Sequence, residues 1–162
     1  MEHTKAGEEQ RVTQVLLRSH VERCLQDIWD VPDLVIDDDG DYPYRRGTAM
    51  CWVSPFDGPV PGVRVFAHAA YGLKPSAKLL REVNDLNVRS TWTRVAFQNG
   101  VVRVSAELHW AAVDRLALEQ AARGVGEVAD DIGALLATVY GGHTPFPVEV
   151  TGQDEAQEGR AA

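Results

Sequence analysis

At 162 residues the chain is sized for one domain with a single core and short tails. Hydrophobic residues at 44% and charged residues at 25% exclude wholesale disorder, because that much apolar material offsets the entropy of ordering a chain. A formal net charge of -8 repels a phosphate backbone, so no nucleic-acid partner is expected.

Residues 1–11 are polar and acidic and read as a disordered tail without an apolar signal segment. No apolar run approaches the roughly 20 residues that cross a bilayer, so no membrane contact is expected. The two cysteines, Cys24 and Cys51, form no Cys-x-x-Cys pair and read as small apolar residues of a reducing compartment. These features together predict a cytoplasmic protein.

From Val12 to Trp29 the spacing of Leu17, Val21, Cys24 or Leu25, and Ile28 is that of one helical face. Pro32 closes the helix, because residues before proline avoid the α region. Leu34–Val35–Ile36 reads as a short strand. The Asp-Gly turn at Asp39–Gly40 then leads into a second strand whose residues alternate through Tyr42, Tyr44, Arg46, Thr48, Met50 and Trp52. The proline- and glycine-rich stretch Pro55–Gly62 is a loop, and Val63, Val65, Ala67 and Ala69 alternate in a third strand.

A second helix runs from about Ser76 to Asn87, with Ser76 placed to cap it and Leu79 or Leu80, Val83 and Leu86 on its apolar face. Asn87 shares that face, where an unpaired amide would be costly, so its side chain is expected to tie down backbone. Asn99–Gly100 sits between two alternating runs. A two-residue loop there pairs Gln98 with Val101, Phe97 with Val102 and Val95 with Val104, bringing the apolar residues to one face.

A long helix from about Asp114 to Tyr140 carries Leu118, Ala121, Val125, Val128, Ile132, Leu135 and Val139 at helical spacing. Beside them runs a small stripe, Ala122, Gly126, Ala129 and Gly133, where another backbone can approach, from the sheet or from a second copy. Gly141–Gly142 supplies the terminating cap. Residues 143–162 read as an acidic disordered tail, leaving 12–142 as one domain. Strands linked mostly by hairpins argue for an α+β fold, an antiparallel sheet with helices on one face.

The motifs point away from catalysis. If Gly40 were the invariant glycine of a calcium loop, Val35 and Arg46 would stand at its first and last ligand positions, so the aspartates read as an acidic turn. His3, His20, His68, His109 and His143 form no zinc-binding pair, and no nucleophile elbow occurs. Neither catalytic residue, metal nor cofactor is expected. On the sheet face away from the core, Phe66, His68, Trp92, Arg94 and Arg103, with Arg64, give the aromatic and arginine composition enriched at protein-binding patches. These five form the predicted partner site.

In order and spacing, several stretches resemble YbjN-type proteins: Asp37–Tyr42, the valine-rich strand at Val63–Ala69, Leu79–Asn87, the Asn-Gly hairpin and the closing Tyr140–Gly142. The likeness covers roughly residues 13 to 142 and extends to the class I chaperones of type III secretion. It implies an order of helix, three strands, helix, two strands and helix. It also implies a homodimer that holds a protein or peptide client without a cofactor. An older reading of such proteins, a sensory transduction regulator, implies a folded partner instead.

Overall fold

A computed structural model describes residues 2–148, and their side chains from residue 14 onward. Helix α1 (Glu2–Trp29) is followed by strands β1 (Tyr42–Arg46), β2 (Ala49–Phe56) and β3 (Gly62–Ala70). Helix α2 (Ala77–Arg89), strands β4 (Arg94–Gln98) and β5 (Val101–His109), a short 3-10 turn at Trp110–Ala112 and helix α3 (Arg115–Tyr140) complete the chain. The sheet is antiparallel throughout, in the order β1-β2-β3-β5-β4. The α+β order is therefore the expected one.

Period-two alternation explains the layering. Tyr42, Cys51, Val53, Val65, Ala67, Val95, Val102 and Val104 are buried on one face, beneath α3 and its neighbour α1. Each fully buried valine contributes about 1.5–3 kcal/mol. On α1, Leu17, Val21, Cys24 and Leu25 form the buried stripe. The helix begins at Glu2, well before the expected Val12, since the acidic start includes good helix formers.

Two strand assignments need correction. Leu34–Ile36 is not a strand, and Val35 and Ile36 are exposed. The long second strand is in fact two, because a turn at Gly47–Thr48 pairs Arg46 with Ala49. Asp130 on α3 accepts from both the backbone N–H (2.7 Å) and the hydroxyl (2.8 Å) of Thr48, fixing this turn to the helix. The turn changes the alternation phase, so Tyr42 and Tyr44 face the core whereas Met50 and Trp52 face away.

Other local expectations match in detail. The Ser76 side chain accepts from Leu79 N–H. Asn99 and Gly100 take positive φ values of 51° and 80°, and the hairpin register is the expected one from Arg94–Ser105 to Gln98–Val101. Asn87 donates to the carbonyls of Val83 and Val95 and accepts from Val95 N–H, so its amide occupies the outer edge of β4. Asp37 accepts from the backbones of Asp39 and Asp41, which makes the acidic segment a carboxylate-capped turn.

The small stripe of α3 faces the sheet. A Cβ at Gly133 would lie 2.5 Å from the Ala69 carbonyl oxygen, and one at Gly126 would lie 2.9 Å from Arg46 Cβ. The buried face is consequently rotated toward Ala122, Gly126, Ala129 and Gly133, leaving Leu135 and Val139 exposed.

The chain after Gly141 departs from the expected tail. His143 bridges to Tyr71, Phe146 N–H donates to the Thr48 carbonyl, and Arg45 lies over the Phe146 ring. Residues 143–148 thus pack along the end of the sheet, where its terminal backbone groups find partners. The remainder of the predicted C-terminal tail, 149–162, and Met1 of the N-terminal one lie outside the described residues.

Candidate functional site on the open face of the sheet

No described element covers the second face of the sheet, and rings line it. The register places Pro43, Trp52, Phe66, Ser105 and Arg94 in one row across the five strands. Arg45, Met50, His68, Arg103 and Ala96 form the next row. Trp52 and Phe66 stack with centroids 5.0 Å apart and planes 15° from parallel. His68 meets Trp52 edge-on at 4.9 Å, and its Nδ1 hydrogen-bonds the Tyr71 hydroxyl at 2.8 Å. Tyr71 in turn reaches the His143 ring at 5.8 Å. The result is a ladder of rings, each half-buried by its neighbours and open above.

Arginines flank the ladder. The Arg103 guanidinium lies 4.1 Å from the Phe66 centroid, and Arg64 lies 5.3 Å from the Phe56 centroid while pairing with Glu107 at 2.9 Å. Burial, and then the facing Arg103, hold the His68 imidazole below its ordinary range. Burial, with Arg64 nearby, also lowers the Arg103 pKa. Both shifts reflect cationic groups held partly out of water.

Of the five predicted site residues, Phe66, His68 and Arg103 meet in this ladder. Arg94 ends the Phe66 row, opposite Ser105 on β4, with Trp92 just before it, so one strand, β5, separates both from the rings of β3. Trp92, 87% exposed, precedes β4 and edges a groove of 590 Å³ whose walls include Leu108, Ala121 and Val125. His109 does not meet His68; its Nδ1 accepts from Ala111 N–H. Sequence reasoning missed Trp52 and Tyr71. Trp52 was placed in the alternation, but the unseen turn at Gly47–Thr48 concealed its face, and Tyr71 lies just past the end of β3.

Elsewhere the polar groups are structural. Tyr44 donates to the Ala122 carbonyl at 2.7 Å, and burial pushes its pKa far upward. Burial likewise pushes Cys51 up to about 11 and raises Cys24. Neutral thiols of this kind are poor nucleophiles. Among the described residues no group of three or more metal-ligating side chains occurs, and no helix is long and apolar enough to cross a membrane.

Residues 16–148 match the family described as T3SS (YopN, CesT) and YbjN peptide-binding chaperone 1, and the chain belongs to that family. No curated protein sequence matches it. Among solved structures, one reported as the crystal structure of the ExsC-ExsE complex is similar in fold, with a TM-score of 0.57 and 16% identity. That similarity covers 76% of this chain and 95% of the other.

Proposed function

We propose that this member of the peptide-binding chaperone family holds an extended segment of a client protein across the open face of its sheet. The observation that carries this reading is the uncovered ring ladder of Trp52, Phe66, His68 and Tyr71. A contiguous, half-exposed ring surface of this kind suits an interaction site, and aromatic and arginine side chains dominate binding energy at such sites. Trp92 and Arg94 extend the surface toward the β4 edge. The role is binding without chemistry, as a homodimer in a reducing, cytoplasmic setting. Family membership supports the binding role, and the two free buried cysteines fit the compartment.

The test is selection of random displayed peptides on the full chain, followed by affinity measurement against variants. Trp52→Ala and Phe66→Ala should each weaken the selected peptides by at least about 2 kcal/mol, the scale of interface anchors. Trp92→Ala should weaken them by about 1 kcal/mol, and its melting curve should stay near wild type, since surface changes cost about 0.5 kcal/mol or less. Affinities indifferent to Trp52 and Phe66 would remove the open face as the site. A protein that selects no peptide but captures a folded partner would instead favour the regulatory reading.

A further inference from the structure

The open face has a chemical preference of its own, which rests on the reading above and sharpens it. We propose that the segment bound there is acidic, with one of its carboxylates seated over Ser105 among Arg103, Arg94 and Arg64. A neighbouring apolar side chain of the segment then lies on the Phe66–Trp52 stack.

The register makes Ser105 the centre of the cluster. Arg94 stands opposite it on β4 and Phe66 opposite it on β3. Arg103 and Glu107 lie two residues to either side on its own strand, and Arg64 lies two residues from Phe66. Arg64 is already paired with Glu107. Arg94 and Arg103 have no carboxylate partner among the described residues. The Nε of Arg103 is buried and has no hydrogen-bond partner. A guanidinium held 4.1 Å from a ring centroid carries its N–H donors in one planar fork, which suits a carboxylate. A partly desolvated cation left unpaired is costly, and an incoming anion relieves that cost.

Charge distribution points the same way. The chain as a whole carries a net -8, yet the strands present Arg45, Arg64, Arg94 and Arg103 on this face against the single carboxylate Glu107. Asp41, just before β1, and Glu107 act on Arg103 from a distance, more weakly than its burial and Arg64 do, and neither forms an ion pair with it. An acidic segment is therefore repelled by most of the surface and attracted here, which selects the site as well as the ligand. Rings and arginines on a sheet can also hold single-stranded nucleic acid. Two unpaired cations on a strongly acidic chain favour the peptide.

Fluorescence polarisation on the full chain tests this with labelled short peptides of alternating Glu and Leu, their Gln–Leu counterparts and a single-stranded oligonucleotide. The Glu peptide should bind at least tenfold more tightly than the Gln peptide and weaken as salt is raised. Arg103→Gln and Arg94→Gln should each remove most of that tenfold preference while leaving the Gln peptide unchanged. Arg94 is exposed and unbonded, so its variant reports on the site even if Arg103→Gln folds poorly. Equal binding of the two peptides, both still lost in Trp52→Ala, would overturn the acidic preference and leave the ring ladder as a neutral client site. Failure of the Glu peptide where selected neutral peptides bind would do the same. Tighter binding of the oligonucleotide, of a phosphoserine version of the peptide, or of a peptide of residues 149–162 would each replace the proposed occupant.

Discussion

At the scale of single residues, His68 joins the open face to solution pH. Its ring packs on Trp52, bonds Tyr71 and faces Arg103, and burial first, then the Arg103 charge, disfavours the imidazolium. Its folded pKa therefore lies below the ordinary value of about 6.5. Protonation favours the unfolded chain, so the stability His68 contributes is complete above that value and is lost as pH falls below it. Wild-type protein should lose melting temperature as pH falls below about 6.5. His68→Phe, which keeps a ring in the ladder, should flatten that part of the profile. Parallel profiles for the two proteins would show that His68 is solvated in both states. The half-buried position of this histidine was not legible in the sequence, which showed its face but not the rings on either side of it.

Among the elements, legibility followed how local the determining interaction is. The hairpin, the Ser76 cap and the span of α3 rest on residues a few positions apart, and the sequence places them correctly. The turn at Gly47–Thr48 rests on Asp130, more than eighty positions away, and it was read as continuous strand. The buried face of α3 shows the same limit. Its larger apolar residues suggested one stripe, but the sheet selected the neighbouring small one because it allows closer approach. Two glycines of this helix separate the competing effects. Alanine at Gly124 meets nothing within 4 Å, so Gly124→Ala should stabilise by up to about 1 kcal/mol through helix propensity alone. At Gly133 the same methyl meets the Ala69 backbone, which cannot rotate away, and Gly133→Ala should destabilise by about 1–3 kcal/mol despite the propensity gain. Urea unfolding of the pair checks both signs, and two changes of the same sign would refute the account of how α3 seats on the sheet.

For the whole molecule, the question is which surfaces remain for a second copy. The small stripe of α3 is filled by the chain's own sheet, so it no longer argues for self-association. Both sheet edges resist strand pairing between copies: Asn87 occupies the backbone of Val95 on β4, and Pro43 removes a donor from β1. Among the exposed apolar side chains, several stand on the helices. Leu80 and Val88 project from α2, and Leu135 and Val139 sit one turn apart on α3. A homodimer joined through helices would cover such side chains and leave the ring ladder of each copy free for a client. Light scattering at tens of micromolar should therefore give twice the 17.8 kDa chain mass. Val88→Glu and Leu135→Glu, both at exposed positions, should leave the melting of the fold intact, and the one at the interface should return the monomer mass. A monomer mass for the wild-type chain would end the dimer proposal without touching the peptide site. A dimer that survives both substitutions would move the interface away from these helix surfaces.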